Sequence, residues 1–577
     1  MSLFTNELLK SIKILLFLSL ISNFILTNNV DGEIIPSERR VTWEGNVGVP
    51  GGVPLRTTCF RTRSSNTPSS VINSDLAETP AGQSVCIEAG IGKWTSMIKI
   101  PSNVTLRGAG PSKTIITSTI NYPSYVSMSG GWSNPIKCID LSADGIKGSS
   151  SITVDTNPSC LQVGEILVIS EENDPALVNS EGVEGEGSRY MVGRDLSHLI
   201  KINSITGNGP YTVNFEPPLA YTFRVSRFAR LDIFGAYRTY AAGLEDIKII
   251  GGGHVNEVTS SSIDMTLTEE CWVKNVEVQD GIGGSGVYLF GAYRSEVRDS
   301  YFNDSHFYGA GRGYGASIYD QSTGNLIENN IYRKYHSALS VDYGGAYNVF
   351  AYNYIVDGIA DSGQAPGINS HGVHTYMTLW EGNYSEEKAL FDFTHGSGSN
   401  QTLLRNRIIG KSNVLNSDQM VIAVDEWNRK LNFVGNILGL AGYHTYYSTC
   451  PDGCTLDSCD SSPGTSDLIV WNYGFYTHWS CGGIGDDAAT RDFLIHGNYS
   501  YCTIGTGCNT TIWDPNIADH QIPYSYYLSS KPAFFGNLPW PPIGPDLIPM
   551  VGNIPSQLRY EGYDIPDKPT NLRISDF

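Results

Sequence analysis

The stretch 371–395 brings together the three histidines His371, His374 and His395 with acids that include Glu381 and Asp392. Imidazole near its natural pKa can abstract a proton, and a neighbouring carboxylate can fix its tautomer. Histidine and carboxylate side chains also hold divalent metals. The stretch therefore indicates either a site with a histidine base or a metal site, with Ca²⁺ or another divalent ion as the candidate cofactor.

Further charged residues extend this set. Asp342 precedes the stretch, whereas Arg405 and Asp425 follow it. Arg405 or Arg407 would neutralise the carboxyl of a uronate during β-elimination, and a pair formed by Glu381 and Asp392 would serve glycoside hydrolysis. Turns are rich in Asp in any protein, so the same residues would also occur at strand boundaries without any catalysis.

A short signature of apolar residues around an Asn recurs on both sides of the stretch. The intervals between its anchors alternate between a longer and a shorter one, and the anchors are Ser300, Asn330, Asn353, Asn383, Asn406 and Asn436. Weaker copies place further anchors at Asn472 and Asn498. Each unit is a β-branched and aromatic run bounded by Gly, Asn and Asp, without an amphipathic helix. Such a repeat predicts an all-β solenoid, a parallel β-helix.

The repeat also predicts where the charged residues lie. Stacked anchors would be about 4.8 Å apart and would form a ladder of side-chain amides, so we assign them to structure. Counting back 11 residues from the anchors gives Asp342, Gly372, His395 and Asp425, with His371 one position away. These positions predict a stripe along one face and hence a groove. Asp342 and Asp425 would lie about 14 Å apart, too far to act as a glycosidase pair.

The rest of the chain suggests an exported protein with a capped solenoid. A basic start followed by a short apolar run indicates a signal peptide, and no later segment is long and apolar enough for a membrane span. Strands around an acidic, Gly-rich segment predict a β-rich insertion whose 171–195 loop borders the groove. The predicted divisions are 1–32 signal peptide, 33–140 cap and first coils, 141–230 insertion, 231–510 main coils with Cys-rich loops, and 511–577 C-terminal cap and Pro-rich tail.

The cysteine content indicates an oxidising compartment, and the net charge indicates which class of partner can be excluded. The chain has 11 cysteines. We expect a Cys59–Cys86 disulfide, further disulfides among the six cysteines of 450–508, and a free, buried Cys271. Six N-x-S/T sequons suggest a glycoprotein. The net charge of −20 argues against nucleic acid as a partner. We expect a secreted monomer that is not attached to a membrane after signal cleavage.

The segment VTLRGAGPSKTII carries a family resemblance through Thr105, Leu106, Gly108, Gly110, Thr114, Ile115 and Ile116. It is similar to the first-coil signature of secreted right-handed parallel β-helix proteins of the pectate-lyase superfamily (pectin lyase fold). The segments GNVGVPGGVPLRTT, LWEGN, FDFTHGS, LLRNRIIG and YYLSSKPAFFGNLPWPPIGPD resemble a poorly characterised pectate-lyase-like group over about residues 43–546. The resemblance implies a fold and a polysaccharide substrate.

The catalytic motifs of two β-helix families are missing from the sequence. It lacks the Asn-Thr-Asp, Asp-Asp and Gly-His-Gly pattern of polygalacturonases and the Asp-His and Arg-x-Pro-x-x-Arg pattern of calcium pectate lyases. Two classes of function therefore remain. The first is a secreted carbohydrate-active enzyme that cleaves an extracellular or cell-wall polysaccharide, by β-elimination or by hydrolysis. The second is a non-catalytic, glycan-binding or adhesin-like β-helix surface protein.

Overall fold

The computed structural model describes residues 34–562 except 132–133, 157, 186–190, 234, 236, 253–259, 310, 362–363, 412–418, 449–467 and 476–491. The predicted signal segment and the end of the predicted tail lie outside the described residues. Nearly all regular structure within them is β, which confirms the predicted fold class. Successive strands pair in parallel with the strand of the next coil, as in a β-helix.

One long sheet forms a face of the solenoid, and we call it the groove sheet. Its 11 strands pair in parallel throughout. In spatial order they are Ile98–Lys99, Ser124–Ser127, Ser261–Thr266, Ser285–Phe290, Tyr314–Tyr319, Ser337–Asp342, Pro366–His371, Lys388–Phe391, Gln419–Asp425, Leu468–Phe475 and Tyr446–Ser448.

The remaining coil strands form a second, 22-stranded sheet with a sharp corner, which we call the ladder sheet. Most later coils contribute two short strands to it, one on each side of the corner. Its strands are Cys59–Arg63, Ser84–Ile87, Gly90–Trp94, Thr105–Arg107, Thr114–Ser118, Gly243–Gly251, Trp272–Gln279, Glu296–Arg298, Tyr301–Asn303, Leu326–Glu328, Ile331–Arg333, Val349–Ala351, Tyr354–Val356, Leu379–Glu381, Tyr384–Ser385, Thr402–Leu404, Arg407–Ile408, Asn432–Val434, Ile437–Leu438, Leu494–His496, Asn498–Ser500 and Thr511–Ile512.

The corner of the ladder sheet explains the anchor asparagines. The residue before each anchor is left-handed, for example Arg405 at φ 54° and Gly435 at φ 66°, and this turns the chain between the two short strands. The anchor side chain then reaches the next coil. The backbone N–H and Nδ2 of Asn353 both donate to Asn383 Oδ1, each at 3.0 Å. The predicted amide ladder is confirmed.

The ladder also corrects one prediction. Asn436 bonds directly to Asn498, through its backbone N–H at 3.0 Å and its Nδ2 at 2.8 Å. Asn472 is no anchor, since it lies in a groove-sheet strand opposite Ala423. The last coil is therefore expanded to 62 residues between anchors. A second, shorter ladder at another corner joins Ser295, Asn325 and Asn348, and the sequence did not reveal it.

Strand alternation separates the core from the outer surface. Alternate residues of the groove sheet point inward and are fully or almost fully buried, as Met265, Leu289, Ile318, Val341, Phe391 and Val424 are. On the ladder-sheet side, the aromatic rings of Phe350 and Trp380 stack with centroids 4.2 Å apart. The stacked rows exclude water along the whole axis and make the scaffold rigid.

The predicted insertion is a six-stranded antiparallel sheet. Its strands, in spatial order, are Ile136–Asp140, Arg230–Ile233, Ile166–Ser170, Ser197–Thr206, Tyr211–Glu216 and Ser151–Val154. A further parallel pair is formed by Thr239–Tyr240 and Thr268–Glu269. The helices are Ser69–Glu78 and Pro555–Tyr560, with 3₁₀ turns at Ser37–Arg39, Val225–Arg227 and Ala533–Phe535.

Three disulfides occur among the described residues. Cys59–Cys86 confirms the predicted pair, and Cys138–Cys160 and Cys502–Cys508 are the others. Cys271 is free and buried, as predicted. The cysteines at 450, 454, 459 and 481 lie outside the described residues. No helix in the described part of the chain is long and apolar enough to cross a membrane.

Candidate functional site

The outer face of the groove sheet carries a row of chemically active side chains. On successive coils the outward positions hold Tyr319, Asp342, His371, Asp392 and Asp425. Asp342 is the direct register partner of His371. Ser370 is in register with Phe391, and Phe391 is in register with Val424. The residues that follow these three, His371, Asp392 and Asp425, therefore stand at matching positions on successive coils. We call His371, Asp392 and Asp425 the catalytic row, after the role that we propose for them.

The row is straight because differences in coil length are absorbed at one edge of the groove. The links that lead into the groove strands alternate between long and short. The strands that end at Asn303, Val356 and Ile408 are followed by groove strands that begin later, at Tyr314, Pro366 and Gln419. The strands that end at Arg333 and Ser385 are followed sooner, at Ser337 and Lys388. Anchor spacings that alternate between 23 and 30 residues therefore leave the strands aligned. The prediction of one stripe holds for Asp342, His371 and Asp425.

His371 and Asp392 form the closest polar pair of the site. His371 Nδ1 lies 2.7 Å from Asp392 Oδ2, and the backbone N–H of Thr394 donates to Asp392 Oδ1 at 3.0 Å. Burial opposes protonation of His371, but the negative charges of Asp392 and Asp342 outweigh it and raise its pKa to about 9. At neutral pH His371 is therefore an imidazolium that is held in a fixed orientation against Asp392.

Asp425 occupies the next coil in a different environment. Its Oδ2 accepts from the backbone N–H of Phe393 at 3.2 Å. Burial, assisted by the charge of Asp392, raises the pKa of Asp425 well above its ordinary value. Two carboxyls on neighbouring coils therefore differ in environment, since burial makes Asp425 hold its proton to higher pH and Asp392 faces the His371 cation. Such divergence is typical of acid and base pairs in active sites.

His395 lies above the row rather than within it. More residues separate Asp392 from its anchor Asn406 than separate Asp425 from its anchor Asn436. These extra residues lengthen the turn after Asp392 and displace His395 from the position that counting predicts. The ring centroid of His395 is 5.0 Å from that of His371. Burial and the nearby His371 lower the pKa of His395. Two neighbouring imidazoles thus prefer opposite protonation states.

The lengthened turn is held by the insertion. The backbone N–H groups of Val183 and Glu184 donate to Phe393 O at 3.0 Å and Thr394 O at 2.9 Å. His395 Nδ1 lies 3.0 Å from Gly185 O. The insertion loop therefore borders the groove beside the catalytic row, in agreement with the sequence-based expectation for 171–195.

His374 is a structural residue, which corrects its assignment as a catalytic candidate. It is fully buried, and its Nε2 accepts from the backbone N–H of Asp174 at 3.3 Å. Burial lowers its pKa to about 3, so the ring is neutral. The side chain connects the insertion to the coils and is closed off from the groove.

Glu381 and Arg405 belong to the opposite side of the solenoid, on the ladder sheet. Glu381 accepts from Tyr352 OH at 3.0 Å and from the backbone N–H of Tyr526 at 2.9 Å, and burial raises its pKa to about 7. Arg405 makes a bidentate bond to Asp546, with both N–O distances between 2.8 and 2.9 Å. Both side chains hold the C-terminal segment on the coils and do not meet His371.

Sequence reasoning missed several groups around the row. Burial and the charge of Asp342 raise the pKa of Tyr319, and Tyr319 is 11 residues before Asn330, so the count that found Asp342 would also have found it. Lys388 is buried, and its charge partly opposes the rise in the pKa of Asp425 that burial causes. Lys388 begins a strand directly after a short link, and no repeated sequence pattern marks its position. Among described residues, no three His, Cys, Asp or Glu side chains are arranged to hold a metal ion.

No protein-family model and no curated protein sequence matches the chain. Solved structures give distant matches. The tailspike gp49 of Pseudomonas phage LKA1 aligns with TM-score 0.43 and 15% identity over 66% of this chain and 59% of that chain. The Gp54 tailspike of Acinetobacter baumannii bacteriophage AP22, solved with a capsular saccharide, aligns with TM-score 0.39 and 13% identity over 66% and 58%.

A third match is the A-module of the mannuronan C-5 epimerase AlgE6 of Azotobacter vinelandii, with TM-score 0.39 and 11% identity over 76% of this chain and 97% of that chain. The chain spans about three-fifths of the length of the two tailspikes. At this degree of similarity the matches assign no family and no activity.

Proposed function

We propose that the chain is a secreted glycoside hydrolase of the pectate-lyase-like β-helix group that cleaves an extracellular polysaccharide. The observation that carries this proposal is the pair of carboxyls on neighbouring coils, Asp392 and Asp425. Neighbouring strands are about 4.8 Å apart, and retaining glycosidases hold their two carboxyls about 5–5.5 Å apart. The geometry therefore favours hydrolysis with retention of anomeric configuration.

Each member of the catalytic row has a role in this reaction. Asp425 gives its proton to the glycosidic oxygen while Asp392 forms a bond to the anomeric carbon, and the bond to the leaving sugar breaks. Asp425 then takes a proton from water, whose oxygen displaces Asp392 from the same carbon. His371 positions Asp392 through the 2.7 Å contact. The positive charge of His371 faces the Asp392 carboxyl that attacks the anomeric carbon.

The charge of the groove supports hydrolysis of a neutral glycan over elimination. β-Elimination requires a cation that neutralises the uronate carboxyl, and Arg405 or Arg407 was the predicted cation. Both are instead buried in the ladder sheet, where Arg405 is bound to Asp546 and Arg407 donates to Ile437 O. In the catalytic row the positive charge of His371 is already paired with Asp392, so the row offers little attraction to a polyanionic chain.

A second candidate function is a polysaccharide lyase. One observation favours it, the pairing of His371 and His395 with ring centroids 5.0 Å apart. His395 has a lowered pKa and would remove the proton beside a uronate carboxyl, while protonated His371 would neutralise that carboxyl. Calcium would serve such a reaction as a bridge to the substrate.

The test is product formation by the disulfide-intact protein on a panel of neutral and acidic polysaccharides, with and without calcium. Hydrolysis yields reducing ends alone, whereas elimination also yields the ultraviolet absorbance of a new C4–C5 double bond. We expect reducing ends alone. Asp392→Asn and Asp425→Asn should each lower kcat by about 10²–10⁴-fold, the usual contribution of such a group.

Two controls make the test specific. Glu381→Gln and Arg405→Met alter residues that hold the C-terminal segment, and they should keep wild-type kcat per folded molecule. Absorbance together with reducing ends would overturn the hydrolase in favour of the lyase. Absence of any product, combined with retention on a polysaccharide, would identify a glycan-binding protein instead.

A further inference from the structure

A cavity of about 820 Å³ opens on the outer face of the first coils. Its lining includes Lys99, Ser127, Tyr237 and Asp264. Ser127 and Asp264 are register partners on neighbouring strands of the groove sheet. Asp264 in turn pairs with Tyr288 on the following coil. The cavity therefore belongs to the same outward face as the catalytic row, several coils away from it.

The cavity presents an aromatic ring beside polar groups. Tyr237 is 66% exposed, and its ring lies against Gly131, where an added Cβ would collide with it. The glycine thus allows the ring to lie on the backbone with one face open. Asp264 is fixed nearby by Thr266, whose hydroxyl and backbone N–H donate at 2.7 and 3.0 Å, and by the Ser129 hydroxyl. An exposed ring face with oriented oxygens fits the apolar face and polar rim of a pyranose.

Aromatic side chains connect this cavity to the catalytic row. The ring centroids of Tyr288 and Tyr319 are 5.1 Å apart, and those of Tyr319 and Tyr343 are 6.2 Å apart. Tyr343 lies 6.4 Å from His395 by the same measure. Because Tyr288 is the register partner of Asp264, the line of rings runs from the edge of the cavity to His395, beside the catalytic row.

We propose that the cavity bounded by Tyr237 binds a distal sugar residue of the same neutral polysaccharide chain that reaches Asp392 and Asp425. Five strand spacings, about 24 Å, separate the strand of Asp264 from the strand that precedes Asp392. The substrate is therefore a long glycan lying across the coils and cut internally, and short oligosaccharides leave the cavity empty. This inference rests on the proposed function.

The first test measures binding without catalysis. The full chain carrying Asp392→Asn is run by affinity electrophoresis in gels containing mixed-linkage β-glucan, xyloglucan, galactomannan, arabinoxylan or polygalacturonate. Adding Tyr237→Ala should weaken retention about tenfold on a neutral polysaccharide, the equivalent of about 1.4 kcal/mol, whereas Tyr237→Phe should keep it because the ring face remains. Tyr524→Ala is the matched control, since Tyr524 is 60% exposed and lies in the C-terminal segment.

Retention that is equal for Tyr237→Ala and its parent would overturn the inference, as would equal loss with Tyr524→Ala or no retention on any neutral polysaccharide.

The second test uses the active chain on oligosaccharides of increasing length from the retained polysaccharide. Tyr237→Ala should lower kcat/KM about tenfold for long oligosaccharides and leave short ones unchanged. A uniform loss at all lengths would contradict it. If no cleavage occurs, the proposed function fails and the binding test still decides this inference.

Discussion

At the scale of single residues, the site brings together neighbouring side chains whose pKa values are shifted in different directions. His371 and His395 are close, yet the carboxyls around His371 raise its pKa and the charge of His371 helps to lower that of His395. Burial raises the pKa of Asp425 well above its ordinary value. The result is a fixed His371 cation and an Asp425 carboxyl that retains its proton, with Asp392 on the coil between them.

His371 should make stability depend on pH in the alkaline range. Its folded pKa of about 9 exceeds the ordinary 6.5, so its stabilising contribution is complete below pH 6.5 and is lost as pH rises through 9. We expect the free energy of unfolding of wild type to fall more steeply over this range than that of His371→Gln. NMR titration of the imidazole checks the cause, and a His371 pKa at or below 6.5 would contradict the account.

Part of this residue-scale picture could be predicted. Asp342, His371 and Asp425 were found because they stand at nearly constant distances before an anchor. Asp392 was predicted as a hydrolytic acid paired with Glu381, but its place in the stripe was missed because the extra residues after it break the count. His374, Glu381 and Arg405 were misassigned because residue type alone does not reveal which side of a coil a side chain occupies.

At the scale of elements, the amide ladder was predictable because each rung repeats a local signature. Asn472 was misread because its strand imitates the signature, while the segment between Asn436 and Asn498 has no periodic spacing. The ladder also limits modification. Asn383 and Asn498 stand in sequons but are buried rungs, whereas the sequon Asn509 is exposed.

Removing a rung should destabilise the solenoid strongly. Asn383 Oδ1 accepts two bonds from Asn353, and its Nδ2 donates to Phe350 O and Asn406 Oδ1. Asn383→Ala should lower the free energy of unfolding by about 3 kcal/mol, because several bonds of about 1 kcal/mol each are lost. Denaturant unfolding measures this. The exposed Asn516→Ala should change it by less than about 0.5 kcal/mol, and equal effects would refute the ladder's contribution.

The C-terminal segment should depend on Arg405. Its guanidinium donates to Pro523 O, Ile522 O, Ile543 O and Asp546. Arg405→Met should lower the free energy of unfolding by about 3 kcal/mol, since charged hydrogen bonds contribute about 1.5–3 kcal/mol each and Asp546 regains water. Limited proteolysis should cut the C-terminal segment earlier than in wild type. Arg61→Met, which alters a half-exposed surface ion pair, should leave the cleavage pattern unchanged.

At the scale of the whole molecule, the groove combines elements that are far apart in sequence. The contact of His395 with Gly185 spans 210 residues. Periodicity could predict the solenoid and the stripe, but no local pattern predicts which turn an insertion meets. For the same reason the cavity at Tyr237 and its aromatic connection to the catalytic row became visible only once the coils were stacked. The expected monomer stays a prediction.

The most direct test of the central claim is the anomeric configuration of the first product, followed by proton NMR during hydrolysis of a cleaved polysaccharide. Asp392 and Asp425 on neighbouring coils predict that the first product retains the configuration of the substrate. Asp342 and Asp392 lie two strand spacings apart, about 9.6 Å, a separation suited to inversion. An inverted first product, or an unsaturated one, would contradict the assignment of Asp392 and Asp425 as the catalytic pair.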